Sequence, residues 1–152
     1  MNDDWIDMLS ALLNADVRFV VVGAHALAVH GVPRGTQDLD ILVDPAPENA
    51  ERVWRALAAF GAPMTALGIS RSDFMNPDMV IQFGLPPNRI DFLTSISGVA
   101  AFDTIWSGRV THELRGRLVP FIGRAELLAN KRASGRRKDL ADVEALGEDP
   151  DS

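Results

Sequence analysis

Apolar residues near the N-terminus recur at helical spacing. Trp5, Ile6, Leu9, Leu12 and Leu13 share one face behind Asn2 or Asp3, either of which can cap a helix. "RFVVVG" (18–23) is instead a continuous apolar run closed by glycine, the pattern of a buried strand. "AHALAVHG" predicts a short helix stopped by Gly31, with Pro33 beyond it. Residues 38–43 predict a second strand, and "ENAERVWRALAAFG" an amphipathic helix closed by Gly61. Residues 62–78 predict loop with a short strand or a helical turn. "MVIQFGL" and "RIDFLTSI", joined through "PPN", predict a hairpin, and "GVAAFDTIW" a short helix. "RVTHEL" and "LVPFI" flank "RGR" as a second hairpin, and "RAELLANKRAS" and "RKDLADVEAL" predict two helices broken at Gly135. The order predicts an α/β or α+β domain, a mixed sheet with helices packed on it. We expect one domain over 1–146 and a disordered tail over 147–152.

The second strand departs from the usual pattern. In "RGTQDLDILVD" (34–44), Leu39, Ile41 and Val43 suit a core, yet Asp38, Asp40 and Asp44 interrupt them. Aspartate is a poor strand former. Side chains two apart share a strand face, so Asp38 and Asp40 point away from the apolar set. Their Cβ atoms stand roughly 6.6 Å apart, and two charges at that distance repel by about 2.5 kcal/mol at an effective dielectric near 20. A cation between them reverses the sign. Magnesium takes carboxylate oxygens and keeps waters and substrate phosphates as further ligands. The alternative is a pair of acids facing solvent on an edge strand. Asp91 in "RIDFL" adds a carboxylate to an apolar strand, where burial is costly unless the charge is paired or metal-bound. Arg89 is its candidate ion-pair partner. Three such acids on neighbouring strands suit two divalent ions that clamp a phosphoryl displacement.

Composition narrows the rest. The chain has 152 residues, a net charge of −6 and no cysteine. The acidity argues against a generally basic nucleic-acid-binding surface. The missing cysteines exclude disulfides and thiolate chemistry. "MNDDWIDML" lacks the apolar run of a signal peptide, and no apolar stretch approaches the ~20 residues that span a bilayer. We expect a soluble, cytoplasmic protein without membrane partners. Gly23 joins a strand to a helix, where backbone can approach a ligand, but neither a P-loop nor a dinucleotide motif is present. "NKRASGRRKD" gathers Lys131, Arg132, Arg136, Arg137 and Lys138, either an anion site or a solvated turn paired with Asp139, Asp142 and Glu144. His25 and His30 stand five apart, not the four that aligns two ligands on a helix, which argues against zinc. Ser10, Ser70 and Ser134 lack a nucleophile elbow. Trp54, Phe60 and Trp106 suit core packing.

In this order, "VVVGAHALAVHG", "RGTQDLDILVD" and "RIDFL" resemble the nucleotidyltransferase superfamily with the DNA polymerase β-like fold. More narrowly, "GVPRGTQDLDILVD" resembles the small bacterial proteins grouped with AbiEii-type toxins. "ANKRASGRRKDLADVEAL" is similar to their basic C-terminal element. The resemblance covers about residues 17–146. It implies NTP-dependent transfer of a nucleoside monophosphate to a hydroxyl of RNA or protein, within a toxin–antitoxin pair that supplies a cognate partner. The alternative it leaves is a weak or inactive nucleotide-binding member of such a pair. By carry-over, Asp38, Asp40 and Asp91 hold two Mg²⁺ ions, or Mn²⁺, and Asp91 helps activate the acceptor hydroxyl. Gly23 and Ala24 meet the triphosphate, Lys131 contacts nucleotide phosphates, and Asp139 orients that basic region. Arg34 and Thr36 are further phosphate-side candidates. One departure stands out: Ala24 occupies a position where the family carries Ser or Gly, so it offers a backbone N–H but no hydroxyl.

Overall fold

The structure is a computed structural model, and it describes residues 1–151. In chain order it contains α1 (Asp3–Asn14), β1 (Phe19–Val22), α2 (Gly23–Val29), β2 (Asp38–Val43) and α3 (Pro47–Phe60). A 3-10 turn (Arg71–Phe74), β3 (Val80–Phe83), β4 (Arg89–Leu93) and α4 (Phe102–Ser107) follow. The chain closes with β5 (Val110–Leu114), β6 (Arg117–Phe121), α5 (Arg124–Ser134) and α6 (Arg137–Ala145). The strands form one six-stranded sheet in the order β3-β4-β2-β1-β6-β5. β2 runs parallel to β4 and β1 to β6, and the remaining neighbours are antiparallel. The α/β class expected from the pattern is what the chain adopts. Among the described residues, no helix is long and apolar enough to cross a membrane.

Local chemistry explains the element ends. Asn2 caps α1 by accepting a hydrogen bond from the Trp5 N–H at 2.9 Å. The undecided stretch 62–78 resolves as the helical turn. There Ser70 and Asp73 cap reciprocally, the Ser70 N–H donating to Asp73 Oδ2 at 2.9 Å. Asp44, the last acid of the unusual strand, serves structure. It accepts from Arg18 Nη1 at 2.8 Å and from the Ala46 N–H at 3.0 Å, fastening the exit of β2. Arg132 donates to the Asp149 carbonyl at 2.9 Å, while Ser152, the end of the expected tail, lies outside the described residues.

Strand register sorts the side chains into two faces. Phe19 pairs with Val43 and Val21 with Ile41 across β1 and β2, and Leu39 and Ile41 stand beside Ile90 and Phe92 of β4. All seven are buried. Phe92 meets the edges of Phe74 and Phe83, at centroid separations of 6.1 and 5.8 Å. Helices α1 and α3 pack against each other, and α3 also packs on the 3-10 turn that carries Phe74. The opposite face begins apolar, with Val20, Val22 and Leu42 buried. Toward the start of β2 it becomes charged, and there the α5–α6 hairpin stands across from it.

Candidate active site

Four charged side chains share that second face. β2 and β4 pair Asp38 with Arg89 and Asp40 with Asp91. Paired residues of neighbouring strands point the same way. Arg89 Nη2 donates to Asp38 Oδ2 at 3.1 Å and to Asp91 Oδ2 at 3.0 Å. The other oxygens, Asp38 Oδ1 and Asp91 Oδ1, are buried with no hydrogen-bond partner. Asp91 is 6 % exposed. One guanidinium thus faces three carboxylates. Burial first, and then the charges of Asp91 and Asp38, push the Asp40 carboxyl up to about 6, although Arg89 opposes them.

Gly23 sets the depth at which Asp40 lies. It opens α2 at φ +71°, and a Cβ on it would collide with the Asp40 carboxylate. Only glycine meets both demands. α2 has seven residues, so its dipole is small and the structural role of Gly23 is steric. His25, two residues on, stacks edge-to-face on Trp5 with 5.0 Å between centroids. Burial, then the charge of the N-terminal amine, lowers its pKa. His30 Nε2 donates to the Ile122 carbonyl at 2.8 Å, which ties the end of α2 to the chain after β6.

The facing wall is basic. Lys131 on α5 is 9 % exposed and lies 3.3 Å from Asp139 Oδ1 and 3.1 Å from Asp142 Oδ2. Arg136, in the α5–α6 turn, donates to Asp139 Oδ2 at 2.6 Å. Arg34 reaches from the loop before β2 to Asp142 Oδ1 at 2.7 Å. Gly135 makes the tight turn possible by taking φ +68° as the left-handed cap of α5. Burial acts to raise the Asp139 pKa, but hydrogen bonds from Arg136, Ser134 and Lys131 overcome it and bring the carboxyl down to about 2. Three cations and two acids leave this wall net positive.

Two clefts meet between the walls, and both are lined by Gly23, Asp40, Lys131 and Arg136. The larger, about 420 Å³, adds Met79, Leu93, Ile96, Ser95, Asn130 and Asp139. The smaller, about 330 Å³, adds Ala24, Arg34, Thr36, Asp38, Lys138 and Asp142. Gly23, Ala24, Arg34, Thr36, Asp38, Asp40, Lys131 and Asp139 therefore come together, while Asp91, beside Asp40 in register, lines neither cleft. The Thr36 hydroxyl is already used, donating to the Asp38 carbonyl at 3.0 Å and accepting from its N–H at 3.1 Å. Sequence reasoning gathered Arg136 and Lys138 in a candidate anion site, offered Asp142 among its partners and Arg89 as a partner of Asp91, but did not place Arg89 between two acids. Their signals were the dense charge in "RASGRRKDLAD" and the i, i+2 spacing of Arg89 and Asp91.

The donor set suits a divalent cation in part. Asp38 and Asp91 each hold an unused buried oxygen, and Asp40 is under-neutralised. Among the described residues, no three acidic or histidine side chains converge into a metal cage. Magnesium does not require one, because one or two carboxylates with water and substrate phosphate complete its shell.

No family model and no curated protein matches the chain. Among solved structures, the chain is similar to the crystal structure of a candidate nucleotidyltransferase from Thermotoga maritima, with a TM-score of 0.58 and 16% identity over 94% of this chain and 88% of that one. The likeness and the mixed six-stranded sheet give this chain the polymerase β-like nucleotidyltransferase fold.

Proposed function

We propose that the chain is a divalent-metal-dependent nucleotidyltransferase whose single domain spans residues 1–146. The observation that carries this reading is the charge arrangement across one cleft. A carboxylate wall on β2 and β4 faces a cationic wall on α5 and α6, with Gly23 holding Asp40 between them. An NTP with its metal has the complementary pattern, cation toward the acids and phosphate oxygens toward Lys131, Arg136 and Arg34. Asp38 and Asp40, with Asp91 beside Asp40, are the residues that would hold Mg²⁺ or Mn²⁺. When bound, such an ion neutralises phosphate charge and favours displacement at phosphorus. The acceptor hydroxyl oxygen bonds to the α-phosphorus, the α–β phosphoanhydride bond breaks, and pyrophosphate leaves with the electron pair. The hydroxyl proton passes to a carboxylate of the acidic cluster. Lys131 and Arg136 orient the phosphates, and Asp139 holds both cations in place.

The acceptor we propose is RNA or a protein side chain. The motif likeness to AbiEii-type proteins favours a toxin–antitoxin pairing. A second reading, nucleotide binding with little catalysis, is favoured by Ala24, which lacks a hydroxyl, and by the saturation of Lys131 with two internal carboxylates. Titration calorimetry of each NTP with and without Mg²⁺, followed by a labelled-NTP transfer assay, separates the two. Magnesium-dependent binding lost in Asp40→Asn, with labelled product, supports transfer. Binding without product on any RNA or protein acceptor supports the second reading. No NTP binding by the unaltered protein contradicts both.

A further inference from the structure

Arg89 stands where the acidic wall calls for a cation. It leaves β4 in register with Asp38 and two residues before Asp91. A single nitrogen, Nη2, donates to both carboxylates, at 3.1 and 3.0 Å. Asp91 is 6 % exposed, and Arg89 is its ion-pair partner, so removal of the guanidinium leaves a nearly buried charge uncompensated. A guanidinium does not deprotonate at accessible pH. It therefore repels any divalent ion that approaches the same two oxygens.

Its position divides the oxygens of the wall. Arg89 engages one oxygen each of Asp38 and Asp91, while Asp38 Oδ1, Asp91 Oδ1 and the Asp40 carboxylate remain for another cation. We infer that Arg89 is a resident counter-ion standing in for a second divalent metal, so that the wall takes one divalent ion, at Asp38 and Asp40. The inference rests on the metal-dependent reading above and goes beyond it in fixing the stoichiometry and the residue that controls it. Arg89 acts through the acids it holds, as a positioning residue. Asp91 then anchors Arg89 through Oδ2, and its Oδ1 remains for the ion beside Asp40.

Manganese alone is the probe, with bound and free Mn²⁺ counted by electron paramagnetic resonance. The intact protein is expected to bind one Mn²⁺ per chain, and Arg89→Gln and Arg89→Met to bind two. Arg89→Lys keeps the charge and is expected to restore a single site. If Arg89→Met folds poorly, Arg89→Gln carries the test through its melting temperature, which Mn²⁺ should raise more than that of the intact protein. Two Mn²⁺ ions in the intact protein, or the same number and affinity in intact and Arg89→Gln proteins, would overturn the inference and leave the metal-dependent site standing. Absence of Mn²⁺ binding from every form would overturn both.

Discussion

At Asp40 the fold works against ionisation. Burial and the charges of Asp91 and Asp38 raise its pKa from 3.8 to about 6. The folded chain therefore holds this proton more tightly than the unfolded chain. Between those two values the folded state binds more protons, so this group's contribution to stability falls as pH rises, and the loss is complete above the folded pKa. At about 1.4 kcal/mol per unit of pKa, the penalty near neutral pH is on the order of 3 kcal/mol. Asp40→Asn is expected to be more stable than the intact protein by about that amount near neutral pH, with the gap closing in acid. Urea unfolding at both pH values measures it, and equal stability at neutral pH would count against the assigned shift. Gly23→Ala has the opposite expectation. Its left-handed backbone alone costs about 1–2 kcal/mol with a Cβ, and the collision with Asp40 adds to that. Melting temperature and Mg²⁺-dependent NTP binding should both fall. The same-face placement of Asp38 and Asp40 was legible because strand periodicity is fixed by backbone geometry. The bridging position of Arg89 was not, because register between strands 51 residues apart is not written in either strand.

On β4, successive residues serve opposite faces. Phe92 is fully buried between Phe74 and Phe83, and Asp91 belongs to the charged wall. Phe92→Ala is expected to cost about 3–5 kcal/mol. Asp38→Asn, on the neighbouring strand's charged face, should leave the denaturation midpoint almost unchanged and remove Mg²⁺-dependent NTP binding. Chemical denaturation paired with calorimetry tests this division, which fails if both variants lose the same property. Most elements were legible from periodicity and punctuation: the two hairpins, the apolar first strand and the helix break at Gly135. Residues 62–78 were not, since their turn depends on one reciprocal cap, Ser70 with Asp73, and lacks an apolar repeat. The third acid of the unusual strand was equally opaque. Asp44 looks like Asp38 in sequence, but its meaning comes from Arg18, 26 residues earlier.

The cleft is a property of the whole molecule. It joins the loop before β2 to α6 through Arg34 and Asp142, which are 108 residues apart. With 15 Lys and Arg against 21 Asp and Glu, sequence alone offers many possible pairings for each charge, so the basic wall and its acids Asp139 and Asp142 were legible as a cluster, while the reach of Arg34 to Asp142 was not. The same charge count sets two fields against each other. The net charge of −6 repels an NTP at long range, while Lys131, Arg136 and Arg34 attract it at short range. Screening decides between them. At about 0.15 M salt the Debye length is about 8 Å, so charge spread over the rest of the surface is largely screened while groups touching the ligand act at closer range. Local attraction should therefore govern binding. Raising salt from about 0.15 M to about 0.5 M is expected to weaken Mg²⁺–NTP binding several-fold, because it screens the remaining attraction. Arg136→Gln should weaken binding at low salt and flatten that dependence, since it removes one of the contacting cations. If calorimetry instead finds tighter binding as salt rises, the long-range repulsion dominates, and the basic wall is occupied with its own carboxylates rather than with phosphate.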